Sequence, residues 1–402
     1  MTTVKEYLRV PYAMTVHGEE EIEAVVKVLR SSTQMGKHTQ EFESKVAALF
    51  AKKYGIGVNS GSSALFLAAE ALDLPKGSEV ITPALTFATT VGCIVKAGLV
   101  PAFVDVAPNT YNINVDRIEE MITDKTRAMI IPNLLGNIPD WERIAQIAKK
   151  HDLRIVEDSA DIVGSTINGK PTGTYSDIST TSFYGMHLIN CAGNGGMVCT
   201  SNETYANKIK LLRSWGRSSS LFVESERIEN RFNVDLDGIQ YDAKFVFEEI
   251  GYNLEPAELG CAFGLVQMRK LDKIFKHRKW AFEAQNSFFE KFGWFDMPKQ
   301  TPNTDMVWFV FPMLVKADAP FTRTDMQIFL EKRNIQTRVI FTGNILRQPG
   351  FRSIERREPR DGFPVADDVM RRGVLLACHH GLTQDMVDHV HSSFDEFARQ
   401  YR

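Results

Sequence analysis

From residue 55 to residue 157 the chain alternates short, unbroken apolar runs with stretches of helical periodicity. The apolar runs lie at 55–58, 79–82, 101–106, 128–132 and 154–157, and the helical stretches at 63–72, 90–97, 115–122 and 141–151. A strand without polar alternation is buried on both faces, and a chain that reaches the next strand through a helix lays the two parallel. The pattern therefore predicts an α/β fold with a mostly parallel sheet covered by helices on both faces. Ligands in such sheets sit beyond the carboxyl ends of the strands. That rule selects Phe87, Asn133, Asp158 and His187, each just past an expected strand end.

Two amphipathic helices, over 19–31 and 41–54, precede this region. After it come a helix over 202–215, a polar stretch over 216–238 that reads as a loop or hairpin, and a helix over 256–271. Beyond about 271 the texture changes to a long amphipathic helix, a strand over 307–315, a helix over 323–333, a strand over 337–341 and closing segments at 374–378 and 384–401. These divide the chain into a large domain, 1–270, and a smaller α+β domain, 271–402. A net charge of -3 and no basic stripe interleaved with aromatics give no nucleic-acid footprint. No apolar run is long enough to cross a bilayer and residues 1–10 lack a signal-peptide core, so a cytoplasmic protein without a membrane partner is expected. The five cysteines are scattered and free of CxxC spacing, which suggests neither a disulfide framework nor a metal site.

The chemistry gathers in a few stretches. Ser182-Phe183-Tyr184-Gly185-Met186-His187 reads as a strand with one histidine at its tip, followed by the glycine-rich turn Gly193-Asn194-Gly195-Gly196. Imidazole there is placed to move protons at neutral pH, although a histidine near a strand end is also a common structural residue. Asn59-Ser60-Gly61-Ser62-Ser63 ends a strand and opens a helix; it fits a phosphate cradle of backbone N–H groups and equally an ordinary Ser-capped helix. Glu157, Asp158 and Asp161 crowd the end of an apolar strand, where carboxylates need a cation or a donor. A protonated pyridine nitrogen is one such partner for Asp158, and helix capping is the other use. Phe87 fits a ring-stacking residue or a core side chain.

Taken together, Asn59 to Leu65, Ile81-Thr82-Pro83 through Phe87, Phe103 to Val106, Glu157-Asp158-Ser159, Ser182-Phe183-Tyr184, Gly195 to Val198 and Gly251-Tyr252-Asn253 resemble the DegT/DnrJ/EryC1/StrS aminotransferase family. The resemblance covers nearly the whole chain. It implies a fold-type I pyridoxal-phosphate (PLP) transferase architecture acting on nucleotide-linked sugars. It further implies that Gly61, Ser62 and Ser182 hold the cofactor phosphate, Phe87 stacks on the ring, Asp158 keeps the ring nitrogen protonated and Asp161 lies near the ring. Asn253 would reach the phosphate of a neighbouring subunit, making a homodimer with shared active sites.

One departure decides the expected reaction. The family pattern has a lysine where this chain has His187, so the cofactor has no amine there to attach to. The Lys-to-His change resembles the family's nucleotide-4-keto-6-deoxyhexose 3-dehydratases, the branch of GDP-4-keto-6-deoxymannose 3-dehydratase, as does Thr337-Arg338 leading to Gly343 through Pro349. That branch implies removal of the sugar C3 hydroxyl by the pyridoxamine form (PMP), with glutamate as amino donor and His187 and Asp158 as catalytic residues. Trp215, Arg338 and Arg347 are the substrate-contact candidates; guanidinium groups suit a diphosphate, while either arginine also suits a surface ion pair. The CDP-type members carry a cysteine-ligated [2Fe-2S] cluster after Trp-Gly-Arg. Here Trp215-Gly216-Arg217 is followed by no cysteine until Cys261, so no cluster is expected. Asn194 stands where a glutamate is usual, and the 188–196 loop has one extra residue. Rival readings are another PLP-dependent reaction of a sugar-like metabolite and a catalytically silent nucleotide-sugar binder.

Overall fold

The computed structural model describes residues 7–222, 228–232 and 234–401. Its centre is a seven-stranded sheet built from β1 (Tyr54–Val58), β2 (Glu79–Pro83), β3 (Val100–Val104), β4 (Thr126–Pro132) and β5 (Arg154–Ser159). After a two-residue hairpin, β6 (Thr166–Ile167) and β7 (Lys170–Pro171), come β8 (Ile178–Ser182) and β9 (Gly196–Thr200). The order is β1-β9-β8-β5-β4-β2-β3. The β2–β3, β2–β4, β4–β5 and β5–β8 pairs are parallel, and β9 runs against both of its neighbours.

Unbroken apolar strands bury both faces, and neighbouring residues fall into different cores. Met129, Ile131, Ile155, Met197 and Cys199 face one hydrophobic cluster. Ala128, Ile130, Val156, Ile178 and Val198 face the other. Helix α2 (Lys37–Leu49) packs on β1, α3 (Gly61–Ala71) enters directly from β1 and packs on β8 and β9, and α1 (Glu19–Leu29) packs on the helix Glu258–Arg269. The 115–122 stretch is two 3₁₀ turns, Val115–Arg117 and Glu119–Met121, rather than the expected helix.

The C-terminal part contributes the helix Leu271–Phe289 and an antiparallel three-stranded sheet of Phe295–Asp296, Phe311–Val315 and Gly373–Leu376. Phe289, Phe295, Phe321, Phe394 and Phe397 fill its interior with tilted and edge-on ring pairs. The expected strand over 337–341 is a single antiparallel bridge, Arg338 to Leu375. Left-handed backbone at Phe341 (φ 41°) and Gly343 (φ 61°) turns the chain out of the ladder. The strand expected from 307 begins at Phe311, because the backbone of Phe309 bonds elsewhere. The polar stretch contains a short hairpin, Val234–Leu236 with Ile239–Tyr241; residues 223–227 and 233 of that expected loop lie outside the described residues. Among the described residues no helix is long and apolar enough to cross a membrane, and all five cysteines are buried and unpaired.

Candidate active site

Because β2, β4, β5 and β8 run the same way, their carboxyl ends open on one edge. An open cavity of about 440 Å³ lies there. All four residues selected by the strand-end rule line it. The histidine is not at a strand tip, however: β8 stops at Ser182, and His187 sits five residues later in a tight turn. Gly185 N–H bonds back to Gly193 O at 2.8 Å and His187 N–H to Tyr184 O at 2.9 Å, which folds the loop so that its histidine re-enters the cavity.

His187 Nδ1 lies 2.6 Å from the Ala160 carbonyl oxygen. A carbonyl only accepts, so Nδ1 carries the proton and Nε2 is left as a base. The ring packs against Phe309 at 5.0 Å between centroids and edge-on to Tyr184 at 6.0 Å. Burial pushes its pKa down to about 4, helped by the Arg278 cation and opposed by the Ala160 bond. The imidazole is therefore neutral at physiological pH.

The pleat sorts the three carboxylates of β5 and its end. Glu157 is fully buried and accepts from Asn133 Nδ2 (3.0 Å), Ser159 Oγ (2.7 Å) and Ser179 Oγ (2.7 Å), which leaves it no role in the cavity. Asp158 lines the cavity, and among the described residues its carboxylate accepts from Thr90 Oγ1 (2.8 Å) and the Ala160 N–H (3.2 Å). Burial raises its pKa and those two bonds oppose the rise. Asp161 accepts the Leu135 N–H at 2.9 Å; burial pushes its carboxyl up to about 7, with the Asp158 charge adding to the rise.

Leu135 makes that contact from a left-handed backbone (φ 60°), followed by Gly136 at φ 91°. A Cβ on Gly136 would lie 2.4 Å from Val307 O and 2.9 Å from Phe309 N, both backbone atoms that cannot swing away. Gly136→Ala is expected to destabilise the protein by about 1–3 kcal/mol or more, read as a lower thermal midpoint.

At the opposite wall, Ser60 caps α3 by accepting the Ser63 N–H at 3.1 Å. Gly61 and Ser62, in the first turn at the positive end of the helix dipole, line the cavity, and their N–H groups are not used by that cap. The Ser-capped helix is the reading observed, and it is compatible with a phosphate cradle. A Cβ at Gly61 would stand 2.6 Å from Ser182 Cβ, so only glycine lets the helix start meet the end of β8. The Ser62 hydroxyl lies 3.2 Å from Thr89 Oγ1, on the cavity rim. Phe87, 56% exposed and N-capping the helix Ala88–Lys96, offers a ring to whatever fills the space. A cradle of free N–H groups, an exposed ring and a buried carboxylate lacking a cation fit a phosphate, a pyridine face and a pyridinium N–H.

The other predicted residues lie apart within this chain. Asn253 is exposed and bridges Ser214; Trp215, with left-handed φ of 60°, lies under Arg217 at 4.4 Å. Arg347 forms an ion pair with Asp367, and Arg338 donates to the Thr337 carbonyl at 2.7 Å and lies 5.4 Å from the Tyr12 ring. None of the four lines the cavity. Tyr12, Thr89, Thr90, Phe309 and Phe341, not singled out from sequence, do, as does Tyr184 of the Ser182-Phe183-Tyr184 motif.

The model of the DegT/DnrJ/EryC1/StrS aminotransferase family matches residues 15–395. The chain belongs to that family. A dTDP-4-dehydro-2,6-dideoxy-D-glucose 3-dehydratase of Saccharopolyspora spinosa is 37% identical over 399 residues, covering 96% of this chain and 86% of the relative. The lipopolysaccharide biosynthesis protein RfbH of Salmonella typhimurium is 33% identical over 401 residues, covering 96% and 91%. Among solved structures, the Escherichia coli GDP-4-keto-6-deoxy-D-mannose-3-dehydratase with bound hydrated PLP aligns with a TM-score of 0.87 at 28% identity, covering 96% of this chain and 100% of that one. The aminotransferase-fold architecture expected from the resemblance is the one observed, and PLP is the cofactor of this family.

Proposed function

We propose that the protein is a PLP/PMP-dependent nucleotide-4-keto-6-deoxyhexose 3-dehydratase. The observation that carries this reading is the cavity's base: among its lining residues there is no lysine, and His187 stands with Nδ1 tied to Ala160 and Nε2 without a partner among the described residues. Gly61, Ser62 and Ser182 would hold the cofactor phosphate, Phe87 the ring face and Asp158 the ring nitrogen, with Asp161 beside the ring. When bound, the cofactor supplies an amine for the C4 ketone of the sugar and an electron sink. His187 Nε2 accepts a proton and returns it to the departing C3 hydroxyl oxygen, acting as base and then acid. Relatives named for dTDP- and GDP-linked sugars support a nucleotide-sugar substrate. Trp215, Arg338 and Arg347 are assigned to its recognition, residues 1–270 to the cofactor domain and 271–402 to the smaller domain.

The same reading makes the protein a homodimer in which Asn253 completes the partner's phosphate site. Its neighbourhood supports this: Phe245, Phe247, Ile250 and Tyr252 all expose large apolar side chains, Ile250 at 96%. Glutamate is the amino donor in this scheme. Incubation with PLP and glutamate is expected to release 2-oxoglutarate; no release would favour a silent nucleotide-sugar binder.

A further inference from the structure

Arg278, on the helix Leu271–Phe289, is fully buried. Its Nη1 donates to the Phe309 carbonyl at 2.8 Å and the Cys378 carbonyl at 3.2 Å, while Nε and Nη2 have no partner among the described residues. A buried guanidinium with two idle donors is costly, and an apolar side chain of similar size would serve stability better. What it touches explains its presence. Phe309 is held at both ends of its peptide units: its carbonyl by Arg278, and its N–H by the Leu135 carbonyl at 2.8 Å. Leu135 in turn donates to Asp161, and the Phe309 ring lies 5.7 Å from the guanidinium and 5.0 Å from the His187 ring.

We propose that Arg278 is a positioning residue that, through Phe309, fixes the His187 imidazole and keeps it in its proton-accepting form. The inference rests on the reading of His187 as the site's base, but the arrangement it describes exists without substrate or cofactor. The titratable groups that line the cavity with the imidazole are Tyr12 from the N-terminal segment, Asp158 from β5, Asp161 from the turn after it and Tyr184 from its own loop, and Arg278 acts on it from the helix. Tyr12, Cys378, His379 and His380 also feel the guanidinium. Burial is the main reason the His187 imidazole resists a proton, and of the charged groups the Arg278 cation is the one that adds to it.

The test is the titration of His187 by NMR in cofactor-free protein with labelled histidine, its signal assigned by loss in His187→Asn. Wild type should titrate at about 4. Arg278→Gln keeps a donor for the Phe309 carbonyl and removes the charge; it should raise the proton affinity of His187 about tenfold or more. Arg278→Lys keeps the charge and should leave the affinity within about threefold of wild type. An unchanged titration in a folded Arg278→Gln protein overturns the proposal. If that variant does not fold, a tenfold rise in Arg278→Lys overturns it instead. Because the readout needs no turnover, an inactive protein would refute the dehydratase reading without touching this one.

Discussion

Replacing His187 by asparagine is expected to lower the rate of C3 hydroxyl loss by about 10²–10⁴-fold, the usual contribution of a positioned acid–base group. Asparagine fills the turn and offers an N–H to the Ala160 carbonyl, but it has no atom able to take a proton, so cofactor binding should survive while turnover falls. The complementary change, His187→Lys, restores an amine at this place. It should bind PLP through a bond that resists dialysis and gives a visible absorption band, and it should dehydrate poorly. Wild-type dehydration by either variant would remove His187 from the mechanism. The imidazole is free to accept a proton at every pH well above its value of about 4, so an activity change near neutrality belongs elsewhere. Asp161, whose carboxyl burial pushes up to about 7, loses its proton as the pH rises through that value and is the candidate for such a change.

The second large effect is expected at Asp158. Its carboxylate is buried, and Thr90 and the Ala160 N–H are the donors that hold it. Asp158→Asn keeps the shape and both neighbours but cannot stabilise a protonated ring nitrogen. Loss of one charge-assisted hydrogen bond costs about 1.5–3 kcal/mol, which corresponds to about 10–150-fold in kcat. The measurement is kcat beside the affinity for PLP: kcat should fall by more than binding does. Equal losses in both would make Asp158 a residue that only anchors the cofactor.

Much of this site was readable because its residues obey local rules. Unbroken apolar strands announced the parallel sheet, and the carboxyl-end rule then located Phe87, Asn133, Asp158 and His187, all on the cavity. The division of Glu157 from Asp158 follows from the pleat, which sends successive side chains to opposite faces. Contacts across long stretches of chain carried no such signal. Phe309 meets His187 and Leu135 across more than a hundred residues, and Tyr12 joins the cavity from a segment without periodicity. Arg278 lies in the long amphipathic helix, and nothing in the sequence pattern marks it as a core residue; only packing shows that this cation is buried. Residues 337–341 were apolar enough to look like a strand, and the left-handed backbone at Phe341 was invisible in the pattern.

The reaction itself is tested most directly by offering the protein PLP, glutamate and a panel of GDP-, CDP-, UDP- and dTDP-linked 4-keto-6-deoxy sugars, with the products weighed by mass spectrometry. At least one sugar is expected to lose its C3 hydroxyl, giving a 3-deoxy-4-keto product whose C4 carbonyl is restored by water and which carries no added nitrogen. A C4-amino sugar that keeps its C3 hydroxyl would contradict it, since amine transfer would then run on a cavity with His187 in place of lysine.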